Sequence, residues 1–162
     1  MKKLFLLLIL FLLITGCSKG IDGEKDVYNN FIDELNNVSS YSKDIPFDIN
    51  VVLEKDIDGE LTYTVIMDNP KEEVKKIEAI AIHNFKTDDM YPSIGIFDDK
   101  LNLIPNKIDK DNNIVEGIIL VGYIKYTGSV DDFNGIIKVL IRYQDSNGKM
   151  KKIYYKYQNE TK

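Results

Sequence analysis

The spacing of apolar residues changes twice along this chain. Leu4 to Ile14 is an unbroken block of eleven apolar side chains. From about Gly23 to Val38 the apolar positions are Val27, Tyr28, Phe31, Ile32, Leu35 and Val38, three and four residues apart. That spacing gathers them on one face of an α-helix. Asp22 is placed to cap its start, and Glu24 and Asp26 suit the positive end of the helix dipole. Asn36, Asn37, Ser39 and Ser40 end it, so 23–40 reads as a helical region. Its polar face is acidic and Asn-rich, whereas helices lying in a membrane interface carry Lys or Arg there. Packing against a neighbouring domain is therefore expected.

From Ile45 onward the period becomes two. Ile49, Val51 and Leu53 alternate with Asp48, Asn50 and Glu54, and Leu61, Tyr63, Val65 and Met67 alternate with Thr62, Thr64 and Asp68. Asp58-Gly59 between two such runs signals a hairpin. After a turn at Asn69-Pro70, a third strand is predicted over Val74 to His83. Ile77, Ala79 and Ala81 lie on one of its faces, and Ile80 and Ile82 on the other. Asn84 to Ser93 reads as a loop. Ile94 to Phe97 and Leu101 to Ile104 read as short strands around Asp98-Asp99. A long apolar strand follows from Ile114 to Tyr126, where Gly117 and Gly122 point to a bulge or a close backbone approach. Ile136 to Gln144, the turn Asp145-Ser146-Asn147-Gly148 and Met150 to Tyr157 form a final hairpin.

About seven strands with hairpin turns and no interleaved helices predict a mainly β fold, an antiparallel β-sandwich over 45–157 preceded by one amphipathic helix. A barrel of the same strands is the alternative. The stretch Asp68-Asn69-Pro70, followed by a charged segment and then an apolar strand, resembles bacterial immunoglobulin-like modules. The Cys pair and the buried Trp of antibody domains are absent.

The N-terminus carries the most specific signal. Met1-Lys2-Lys3 followed by eleven apolar residues is the layout of a secretory signal. It falls short of the roughly 20 apolar residues that a spanning helix needs. Leu13-Ile14-Thr15-Gly16-Cys17 then resembles the lipobox of bacterial lipoproteins. The resemblance implies diacylglyceryl transfer to the Cys17 thiol and cleavage between Gly16 and Cys17. Residues 1–16 would then be the signal and 17–22 a short lipidated tether.

Cys17 is the only cysteine. An odd thiol in an exported chain calls for an explanation, which lipidation supplies, and it leaves the domain to be held by its core without a disulfide. Loss of Lys2 and Lys3 takes the 21 basic side chains to 19 against 26 acidic, a net charge of −7. That balance and an exported location argue against nucleic acid as a partner. A Lys-, Asn-, Asp- and Ile-rich composition without Trp suggests an AT-rich genome, and with it the outer face of a Gram-positive cell membrane.

Catalytic constellations are not visible. His83 is the sole histidine, with no nucleophile or further ligands assignable around it, and neither G-x-S-x-G nor H-E-x-x-H occurs. The pairs Asp88/Asp89, Asp98/Asp99 and Asp131/Asp132 are the residue type used in glycoside hydrolysis, though adjacent acids in loops usually point apart. Asp109-Lys110-Asp111-Asn112-Asn113 imitates the start of a calcium loop but has Ile114 and Leu120 where that loop needs Gly and Glu. Loose calcium binding by acidic loops stays open, and no cofactor or metal site is expected. Phe85, Met90 and Tyr91 in the 84–92 loop are of types enriched in interface cores, with burial over the end of the sandwich as the alternative. Lys149, Lys151, Lys152 and Lys156 in the last strand suit either an anionic partner or protection of a sheet edge.

The sequence therefore points to a membrane-anchored, extracytoplasmic binding module acting on an envelope protein or wall polymer. A carbohydrate-active enzyme using the Asp pairs, or a structural subunit of an envelope complex, are the alternatives.

Overall fold

The computed structural model describes residues 20–55, 59–85 and 93–159, with the side chains of its helix described from Val27 onward. Helix α1 spans Gly20–Asn36 and is followed by strands β1 (Asp48–Lys55), β2 (Glu60–Asp68), β3 (Val74–His83), β4 (Ser93–Leu103), β5 (Ile118–Lys125), β6 (Ile136–Gln144) and β7 (Met150–Gln158). All pairings between these strands are antiparallel. They form a three-stranded sheet in the order β1-β2-β5 and a four-stranded sheet in the order β4-β3-β6-β7. The result is a mainly β sandwich of two antiparallel sheets, between which the chain crosses after β2, β4 and β5.

Strand alternation places the core. Leu61, Tyr63, Val65 and Met67 of β2 face Ile77, Ala79 and Ala81 of β3 and Ile137, Val139 and Ile141 of β6, all buried in one cluster with Phe47 and Phe133. The turn after β6 follows its composition. The Asp145 carboxylate accepts hydrogen bonds from the N–H groups of Asn147 and Lys149, and Gly148 takes the positive φ of 77° that the turn needs.

Three boundaries differ from the periodicity. The helix starts at Gly20, so Asp22 lies inside it and is not its cap. The two short strands expected around Asp98-Asp99 are one, β4, in which Phe97 to Lys100 bulge out between the pairs Ala79↔Ile96 and Ile77↔Leu101. Lys100 takes a left-handed conformation there, with φ 44°. β5 starts at Ile118, later than expected, because the chain before it is bonded elsewhere. Ile114 exchanges backbone hydrogen bonds of 2.9 Å with Asp109, and the Val115 N–H donates to the Asn102 carbonyl at 3.0 Å.

α1 lies on the outer face of the four-stranded sheet. Phe31 and Leu35 are fully buried against Ile80, Ile82 and Leu140, flanked by Tyr28, Ile32, Val38, Phe97 and Tyr154. Tyr28 also hydrogen-bonds Ser93 at the start of β4. The Arg142 guanidinium sits 3.7 Å above the Phe31 ring, a cation–π contact. Its charge is met by Glu34, whose carboxylate accepts from Arg142 Nη2 at 2.6 Å, Lys152 Nζ at 2.7 Å and the Tyr154 hydroxyl at 2.5 Å.

Burial alone would raise the Glu34 pKa. The hydrogen bonds from Lys152, Tyr154 and Arg142, with the Arg142 charge, outweigh it and lower the value from 4.5 to about 2. A folded pKa below the unfolded one contributes stability that is complete above about pH 4.5 and is lost as pH falls towards about 2. Glu34→Gln is expected to cost about 1.5–3 kcal/mol near neutral pH, the range for hydrogen bonds to a charged group. Urea unfolding of both proteins should show this gap closing as the pH falls towards about 2. A gap independent of pH would contradict the account.

Candidate functional site

β3 and β5 each carry apolar residues on both faces, the pattern of a strand buried on both sides. The outward Ile80 and Ile82 of β3 lie under α1. The outward residues of β5 are uncovered: Ile119, Val121 and Tyr123 are 61%, 43% and 57% exposed, and Val52 of β1 is 40% exposed.

Register assembles these into one surface. Val52 pairs with Thr64 and Thr64 with Val121, while Asn50 pairs with Ile66 and Ile66 with Ile119. Glu54, Thr62 and Tyr123 form the next row. The sheet face is thus apolar and threonine-rich at its centre. It is bounded by Asp48 and Asp68 at one end and by Glu54, Glu60 and Lys125 at the other. No described element lies over it. A contiguous apolar patch with a polar rim is the usual mark of an interaction surface.

The residues singled out from sequence lie elsewhere. Gly16, Cys17, Met90, Tyr91 and the Asp88/Asp89 pair are outside the described residues. Phe85 is half-buried. Its ring stacks on Phe133 at 5.3 Å and meets Tyr126 edge-on at 5.8 Å, closing the end of the core. His83 Nδ1 accepts the Phe85 N–H at 3.3 Å, and its ring stands edge-on to the buried Tyr63 at 5.9 Å. Asp132 is held in a turn by Ser129, whose hydroxyl donates to its carboxylate at 2.6 Å. Asp109 accepts from the Asn112 side chain at 2.8 Å beside a single 3-10 turn, Lys110–Asn112. Among the described residues no three His, Cys, Asp or Glu side chains gather closely enough to hold a metal ion.

A shallow depression of about 720 Å³ opens at the turn end of β6 and β7, lined by Lys43, Lys71, Glu72, Tyr143, Asp145 and Lys151 among others. Its charges are largely answered within the protein. Lys71 pairs with Asp48 at 3.3 Å and Lys152 with Glu34 at 2.7 Å. Burial first, then Glu72 and Asp145, push the Tyr143 phenol up, so it stays neutral at ordinary pH. The lysines of β7 are exposed along the edge of the four-stranded sheet.

No protein-family model, curated protein or solved structure matches this chain. No described helix is long and apolar enough to cross a membrane.

Periodicity does not mark the β5 face as exposed, because an apolar strand is expected to be buried. The signal was nevertheless present: Ile114 to Tyr126 is apolar at both parities, and only one α-helix was predicted to cover anything.

Proposed function

We propose that this chain is a lipid-anchored extracytoplasmic protein of the cell envelope, acting as a binding or interaction module without catalysis. The anchor is Cys17, through the lipobox at Leu13 to Cys17. The observation that carries the binding role is the uncovered apolar face of the β1-β2-β5 sheet. Four of its large apolar side chains are 40% or more exposed, while the corresponding outward face of β3 is sealed by α1. α1 begins three residues after Cys17, so lipidation there would hold the sandwich close to the bilayer.

The test is a photoreactive side chain at position 121 in the full chain, irradiated in intact membranes, with Met150 as an exposed control site. Adducts to polypeptide from position 121 and none from 150 are expected. Equal or absent labelling at the two sites would end the binding reading of this face.

A further inference from the structure

The four sheet edges of this sandwich differ in how they are protected. β7 presents Lys151, Lys152 and Lys156, and β4 is broken by the bulge that carries Asp98, Asp99 and Lys100. β1 has Asp48, Glu54 and Lys55 along it. β5 has no charge and no proline from Ile118 to Ile124, pairs only with β2, and its ladder with β2 runs without a bulge. Unprotected edges of this kind invite another strand.

We propose that β5 pairs antiparallel with β5 of a second copy, about a two-fold axis at Val121, joining the two three-stranded sheets into one of six. This rests on the binding role assigned to the β1-β2-β5 sheet and deepens it: the second copy joins at the β5 edge, and the two outward faces become one continuous surface. The strand is self-complementary in that register. Val121 meets Val121, and Ile119 meets Tyr123 twice, an aromatic against a β-branched side chain, which is a favourable cross-strand pair. Lys125 falls opposite Gly117, so no like charges are set against one another at either end. A shift by one residue would set outward side chains against inward ones. A shift by two towards the C-terminus would set Ile119 against Lys125, and a shift by two the other way would leave Tyr123 against Gly117.

The symmetry also agrees with an anchor. A two-fold axis perpendicular to the sheet keeps the outer faces of both three-stranded sheets on one side. Both four-stranded sheets and both copies of α1 then lie on the other, where two Cys17 anchors can enter one bilayer. A homo-oligomer formed through one patch on each copy is closed and does not grow into fibres.

The test uses the full chain in intact membranes. Directly opposed residues of an antiparallel pair have Cα atoms about 4.5–5.5 Å apart, inside the range a disulfide spans. Val121→Cys should give a disulfide-linked dimer on mild oxidation. Thr64→Cys, on the same face but one strand further in, should give about tenfold less, since its two copies would be roughly 14 Å apart at the spacing of neighbouring strands. Ile119→Cys and Tyr123→Cys should stay monomeric singly and crosslink when co-expressed. A monomeric Val121→Cys protein, or a Thr64→Cys protein that crosslinks equally well, would overturn the pairing. If Val121→Cys stays monomeric while a photoreactive residue at 121 still labels other polypeptides, the pairing fails and the binding role stands. If neither occurs, both fail.

Discussion

Gly122→Val is expected to destabilise the sandwich by about 3 kcal/mol, at the upper end of the range for overpacking a core. Its melting temperature should fall by about 10 °C. Valine is a good strand former, and propensity alone would favour the change by up to about 1 kcal/mol. Packing decides otherwise. Gly122 lies directly opposite Tyr63 in the β2–β5 ladder, and the Tyr63 ring lies across it. A Cβ at position 122 would stand 2.3 Å from Tyr63 Cζ and 2.5 Å from both Cε1 and Oη. A tyrosine at the surface would swing aside. Tyr63 is 1% exposed and already packs against the His83 ring, so the ring has nowhere to move without opening the core. Truncating the ring in a Tyr63→Val, Gly122→Val double variant should recover part of the loss. Thermal melts of the two variants and the wild type check this. A Gly122→Val protein that melts with the wild type would show that the ring is free to leave.

How far the fold was legible follows from which interactions are local. The hairpin β6–β7 was readable because Asp145 and Gly148 make the turn by themselves. The double-faced character of β3 was readable from Ile77, Ala79 and Ala81 against Ile80 and Ile82. The bulge or close backbone approach expected at Gly122 is not found: the β2–β5 ladder runs without a register shift, and the Tyr63 ring takes the space of a Cβ. The bulge of β4 was missed because it depends on how Ile96 and Leu101 register against β3. The late start of β5 was missed because Asp109 and Asn102 take up the hydrogen bonds of Ile114 and Val115. The clasp around Glu34 joins residues 108 to 120 positions apart, beyond the reach of any periodicity. The candidate surface lay between these cases. The apolar residues of β5 were plain in the sequence, but their exposure depends on β5 being an edge strand and on α1 covering the other sheet.

The largest effect is expected at Cys17. Each buried CH₂ of a lipid chain contributes about 0.8 kcal/mol, so that one acyl chain binds a membrane marginally and two bind it stably. The diacylglyceryl group proposed for Cys17 would supply two. Cys17→Ala should therefore leave the signal uncut and the thioether unmade. Incorporation of labelled palmitate should fall from strong to none. The exposed face of β5 matters biologically only if the domain is held where its partner is, so the anchor is the claim on which the functional account depends. The most direct measurement is the intact mass and N-terminal residue of the chain purified from membranes of a bacterial host. The account predicts a chain that begins at Cys17 and carries the mass of a diacylglyceryl group, with a further acyl chain where the host adds one. A membrane-derived chain that begins elsewhere, or one that begins at Cys17 with a free thiol, would contradict it.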